Sequence, residues 1–200
     1  DELAVQMPII KEVLDAMNIS RVELEGYEAD DILGTLSKKA KKLGIDVILF
    51  TGDRDSFQLI EPGINVKLPV TKGGKTETEV YDEEKIREKY GVNPIDLINV
   101  KGLMGDSSDN IPGVPGIGEK TALSLIQKFK TIENLYENID DAIVKPKARE
   151  ALKEFRDLAF MSRTLATINT DIPVDFSEDF KVQEVNNDEL YDIFNGLEFF

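Results

Sequence analysis

An α/β fold, with a mostly parallel sheet followed by a helical lobe, is predicted by three features of this sequence. A helical pattern over 29–43 runs straight into a continuous apolar stretch, Val47-Ile48-Leu49-Phe50. That stretch reads as a strand buried on both faces, and helix–strand alternation of this kind builds parallel sheets. From Asp82 onward helical patterns dominate. The boundary is therefore placed near Gly91, with an α/β lobe over 1–90 and a helical lobe over 91–200.

The elements follow in order. Pro8–Met17 reads as a short helix with Ile9, Ile10, Val13 and Leu14 on one side, and a short apolar run follows at Val22–Leu24. In the 29–43 helix, Ala29, Ile32, Leu33, Leu36, Ala40 and Leu43 recur at helical spacing, with Lys38, Lys39, Lys41 and Lys42 largely off that stripe. Gly44 fits a C-cap. A short helix from Asp55 to Ile60 precedes two strand-like pieces, Asn65–Val70 and Thr76–Tyr81, with Lys72-Gly73-Gly74-Lys75 as the turn between them. Helices are expected at Glu83–Tyr90, Pro94–Gly102, Glu119–Phe129, Ile132–Asn138 and Pro146–Ser162. A strand at Ala166–Ile168, an irregular polar stretch at Asp175–Val185 and a last short helix at Asp188–Leu197 complete the chain.

Composition narrows the chemistry. With no Cys and no His among 200 residues, disulfides, thiolate sites, His-ligated zinc and Ser-His-Asp catalysis are all excluded. No stretch approaches the roughly 20 apolar residues that cross a bilayer. There is no basic–apolar–small signal pattern at the start either, so nothing points to secretion. The formal net charge of −15 argues against a nucleic-acid binder, unless acids converge on divalent cations that reverse the local sign.

Three acidic clusters make that exception plausible. Glu28, Asp30 and Asp31 lie in GYEADD, at the start of the first long helix. One acid there would cap the helix, whereas three repel unless a cation sits among them. Asp53 and Asp55 lie in TGDRD, directly after the 47–50 strand, where α/β proteins bind ligands. An extended backbone would aim both carboxylates the same way. Either could instead cap the next helix. Asp106 and Asp109 lie in GDSSDN, where Asx-turns are the bland explanation. Hard oxygen ligands of this kind suit Mg²⁺ or Mn²⁺.

Residues 111–129, IPGVPGIGEKTALSLIQKF, place Gly116-Ile117-Gly118 at a helix start. Glycines let backbone N–H groups approach a phosphate, and the helix N-terminus adds a favourable dipole. A positive φ is expected at Gly118, and Lys120 and Lys128 can add charge. An ordinary helix–turn–helix corner is the alternative.

In order and spacing, GYEADD, TGDRD, GDSSDN and GVPGIGEKTA resemble the 5′ nuclease domain of bacterial DNA polymerase I, within the flap endonuclease family. The resemblance covers nearly the whole chain. It implies a PIN-like core, and a helical lobe whose helix–hairpin–helix element grips duplex DNA through Gly116, Ile117, Gly118, Lys120 and Thr121, with a potassium ion at the turn. It implies two Mg²⁺ or Mn²⁺ ions held by Glu28, Asp30, Asp31, Asp53, Asp55, Asp106 and Asp109, with Asp31, Asp53 and Asp55 as direct ligands. The implied substrate is branched or flapped duplex DNA, and the implied companion is a polymerase region of the same polypeptide, in the bacterial cytoplasm. The family's first strand, its N-terminal acids and its basic arch precede the stretch that matches Asp1-Glu2-Leu3. A fragment lacking them, with impaired activity, is therefore expected. A non-catalytic DNA-binding module, and a magnesium phosphatase or RNase, are the rival readings.

Overall fold

The computed structural model describes residues 2–176 and 180–199, so part of the polar stretch expected at 175–185 lies outside the described residues. Helix α1 (Glu2–Ala16) runs through Pro8 and begins well before it. The helix expected over Pro8–Met17 therefore starts earlier and ends at Ala16. Helix α2 (Ala29–Lys42) buries Ile32, Thr35 and Ala40 and ends where Gly44 takes φ +76°.

Three strands form one small mixed sheet of order β1-β2-β3. β1 (Val47–Phe50) pairs in parallel with β2 (Ile64–Lys72), with Val47 opposite Ile64. β3 (Lys75–Tyr81) returns antiparallel to β2 through a two-residue turn, with Gly73 and Gly74 at φ +58° and +79°. Two positive φ values suit a turn whose twist matches the strands. The expected burial of β1 on both faces is overturned. Leu49 is buried with Phe57, Ile64 and Val66, but Ile48 and Phe50 are 56% and 65% exposed. No layer covers that second face among the described residues.

Helix α3 (Glu83–Tyr90) is capped by the Asp82 carboxylate, which accepts from Lys85 N at 2.8 Å. A short 3-10 turn (Pro94–Asp96) leads into α4 (Leu97–Met104), and α5 (Glu119–Phe129) and α6 (Ile132–Glu137) follow. The single helix expected over 146–162 is two, α7 (Pro146–Glu154) and α8 (Arg156–Ala166). They break at Phe155, which adopts φ −107°, ψ 31° and packs its ring against the helical core. That core gathers Leu103, Leu125, Ile126, Ile132, Leu135 and Leu152, all essentially inaccessible. Helix α9 (Asn187–Gly196) packs near α1.

The strand expected at 166–168 is absent. Helix α8 continues to Ala166, and the chain then crosses back to the sheet side, where Ile172 and Val174 pack on Ile32 of α2. The Gln58 side chain donates to Ala166 O and accepts from Ile168 N, both at 2.9 Å. One amide thus satisfies backbone groups that a neighbouring strand would otherwise have paired.

Candidate metal centre

Each acidic cluster has a local reason for its position, and in each the bland role leaves carboxylate oxygens unused. Glu28 is the N-cap residue of α2, yet its side chain makes no capping hydrogen bond. Asp31 accepts from Asn169 N at 2.9 Å, a contact from the far end of the chain. After β1 the backbone turns rather than staying extended as expected. Asp53 Oδ1 accepts from Asp55 N at 2.8 Å, and a short 3-10 helix (Asp55–Leu59) begins there without a side-chain cap. Asp106 does form the expected turn, accepting from Ser108 N at 2.9 Å through Oδ1, while its Oδ2 lies outside the turn and accepts from Lys101 Nζ at 2.7 Å.

The GDSSDN loop is closed at its base by backbone. Asp106 and Ile111 exchange two hydrogen bonds of 2.8 Å, Val114 N donates to Leu103 O at 2.7 Å, and Gly113 N donates to Ser162 Oγ at 3.0 Å. Gly105 and Gly113 have φ +73° and +61° and lie against each other, with no room for a Cβ on either. Asp106 and Asp109 are thereby projected from a rigid loop.

These segments converge. Glu28, Asp30, Asp31, Asp53, Asp55 and Asp109 border one cleft of about 620 Å³, within the roughly 300–1,000 Å³ of a ligand site. Asp106 lies on the adjoining side, in a second cleft shared with Asp53 and Asp55. Asp55, Asp106 and Asp109 each offer an oxygen within 4.8 Å of the others. That spacing, with carboxylate donors only, fits a hard divalent cation.

Electrostatics register the crowding. Burial, followed by the charges of Asp53, Asp55, Glu28 and Asp31, pushes the half-buried Asp30 carboxyl up. Between Asp55 and Asp106 stands Lys101 of α4, a residue that sequence reasoning missed. Its Nζ contacts Asp55 Oδ1 and lies 2.7 Å from Asp106 Oδ2. The two carboxyls nevertheless shift in opposite directions. Burial outweighs the lysine at Asp55 and raises it, whereas Lys101 and then Ser108 draw Asp106 down to about 2. Burial works against charge on Lys101, but the two carboxylates overcome it and hold the ammonium group raised. The available sequence signal was a single charge in an otherwise uncharged helix, LINVKGLM. Such a charge is retained inside only with a partner. Asn169 was also missed, and no local pattern marks it.

The glycine turn departs from expectation at three points. The positive φ belongs to Gly116, at +82°, whereas Gly118 is extended at φ −92° as N-cap of α5. The Ile117 side chain is 3% exposed and its N–H donates to Val114 O at 3.0 Å, so Ile117 anchors the turn from inside. Lys128 is paired with Asp141 at 2.6 Å, which neutralises charge assigned to the surface. Lys120 and Thr121 are exposed, and open space faces both Gly116 and Gly118. The first N–H groups of α5 have no intrahelical acceptor and point outward there. Gly118 and Glu119 share a depression with Asp106, so turn and acids form one continuous surface.

Fold and site together define a class: a small mixed α/β layer of resolvase-like type, joined to a helical part, with acids of both meeting at one cleft. The chain belongs to the 5′-3′ exonuclease family. The family's N-terminal resolvase-like domain matches residues 1–91 and its C-terminal SAM-fold domain residues 92–188. It is 51% identical over 199 residues to DNA polymerase I of Bacillus subtilis, covering 99% of this chain and 22% of that one. It is 44% identical over 200 residues to DNA polymerase I of Caldicellulosiruptor bescii, covering 100% and 23%. The chain thus spans under a quarter of these relatives. Among solved structures, T5 5′-exonuclease with bound zinc ions superposes with TM-score 0.63 at 24% identity, over 86% of this chain and 60% of that one. The catalytic core of Rad2 with a DNA substrate gives 0.66 at 18% identity, over 96% and 64%. These two likenesses establish the fold.

Proposed function

We propose that this chain is a structure-specific 5′ nuclease that hydrolyses phosphodiesters in flapped or branched DNA, as part of a DNA polymerase I. The observation that carries the reading is the convergence on one cleft of carboxylates from three segments, the last of them in the helical part. Asp31, Asp53 and Asp55 would ligate Mg²⁺ or Mn²⁺ directly, and Glu28, Asp30, Asp106 and Asp109 would complete or orient the set. The chemistry that two such ions supply is water activation and charge neutralisation in an in-line displacement. The Asp106–Ile111 bridge and the Asn169 contact to Asp31 hold the acids in register. Gly116, Gly118, Lys120 and Thr121 would hold one strand's phosphates, with K⁺ at the turn, so that the duplex reaches the cleft in a fixed orientation. A bacterial cytoplasmic location fits this role.

Manganese binding and cleavage of 5′-flap duplex, measured on wild type and on Asp53→Asn and Asp109→Asn, test the proposal. Both substitutions should weaken binding and suppress cleavage. Undiminished Mn²⁺ binding in both would overturn it. Cleavage without preference for flaps would favour a general phosphodiesterase.

A further inference from the structure

We infer that Lys101 is a tethered stand-in for a divalent cation: its ammonium group holds the space between Asp55 and Asp106 and must leave when an ion binds there. The inference rests on reading these acids as a metal site and adds a residue that competes for it. A contact of 2.7 Å to Asp106 Oδ2, with a second contact to Asp55, puts the ammonium group directly against oxygens that an ion would need. A magnesium ion sits about 2.0–2.1 Å from its ligand oxygens. It would therefore lie beside the lysine nitrogen, charge against charge. A protonated lysine has three donors and no acceptor, so it cannot join the ligand set.

The surroundings suit an exchange. The side chains of Lys101, Asp55 and Asp106 are 17%, 16% and 19% exposed, too enclosed for two carboxylates to stand unpaired without cost. Lysine carries a point charge on a flexible four-carbon stem, so it can retreat without moving α4. The cleft beside it is lined by Glu119, which offers the displaced ammonium group another carboxylate. Lys101 would thus keep Asp55 and Asp106 aligned before an ion arrives, and would set a threshold concentration for its arrival.

The experiment compares wild type, Lys101→Met and Lys101→Arg by Mn²⁺ titration, following free ion by electron paramagnetic resonance, and by melting in chelator and in Mn²⁺. Lys101→Met should melt lower in chelator and bind Mn²⁺ on the order of tenfold more tightly, because one repelling charge is gone. Its melting temperature should also rise more on adding the ion. Lys101→Arg, whose planar fork grips carboxylates more firmly, should bind Mn²⁺ no better than wild type. Unchanged or weaker binding in Lys101→Met would make the lysine a scaffold and overturn the inference. If Lys101→Met does not fold, tighter binding by Lys101→Arg overturns it equally. Wild-type protein that binds no Mn²⁺ would remove the metal site itself, and the inference with it.

Discussion

Replacing Gly113 with alanine should cripple the proposed metal centre from a position that no ligand would touch. A methyl group there would lie 2.5 Å from the Met104 carbonyl carbon and 2.7 Å from Gly105 Cα, and both are backbone atoms that cannot rotate away. The residue also sits at φ +61°, where a Cβ costs about 1–2 kcal/mol. Overpacking of this kind adds about 1–3 kcal/mol. Together these give roughly 2–5 kcal/mol, a large part of a typical 5–15 kcal/mol stability. In a chain of this length that is a fall in melting temperature on the order of 10 °C. Part of the strain would be relieved by opening the 105–113 loop, which moves Asp106 and Asp109 relative to Asp55, and a shift of about 1 Å can cost on the order of 10²-fold in rate. Urea unfolding, Mn²⁺ titration and flap cleavage on the purified variant measure all three effects. Gly116→Ala is the control for unfolding and Mn²⁺ affinity, since nothing lies within 4 Å of its Cβ direction and only the φ cost applies to the fold. A Gly113→Ala protein within 0.5 kcal/mol of wild type, on the scale of an ordinary surface change, and with unaltered Mn²⁺ affinity would refute the reasoning.

Three further outcomes are expected. Asp30→Asn should stabilise the chelator-treated protein at neutral pH by about 1 kcal/mol, the scale of repulsion among half-exposed charges. Asp30's folded pKa is raised, so its ionised form costs stability that returns as pH falls below the ordinary aspartate range, and the gain should vanish there in pH-dependent melts. Asp106→Asn should act in the opposite sense. The depressed carboxyl contributes above its ordinary value of 3.8 and loses that contribution as pH falls through about 2. The variant should therefore lose about 1–2 kcal/mol at pH 5 and almost nothing near pH 2, by urea unfolding at each pH. Gly118→Val should weaken salt-sensitive, sequence-independent duplex binding several-fold while sparing Mn²⁺ affinity, because its branched side chain would fill open space at the helix N-terminus. Filter binding at two salt concentrations checks this, and a folded variant with full duplex affinity would reduce the turn to a structural corner.

The acids were legible because each lies in a local motif at the end of an element, where chain direction alone suggests a crevice. The glycine turn was legible for the same reason. Partnerships between distant segments were not. Asn169 reaches Asp31 across 138 positions, and Lys101 reaches Asp55 across 46. Neither pairing has a periodicity to betray it. β1 misled because a continuous apolar run reports only that residues are apolar, and Ile48 and Phe50 keep that character while facing outward. The true positive φ at Gly116 rather than Gly118 depends on where α5 takes its first turn, and helix ends are the least certain feature of any pattern.

The return of residues 166–174 to α2 means that the chain stitches its two halves together twice, once through 82–97 and again through this segment. A cut between 91 and 92 would yield a first piece deprived of more than Asp106 and Asp109. Ile32 would lose Ile172 and Val174, Gln58 would lose both of its partners, and Asp31 its amide. Neither piece is a spare part. An ion bound in the cleft, as proposed, would therefore tighten a seam that runs through the whole molecule, and unfolding of either half would be coupled to the loss of that ion.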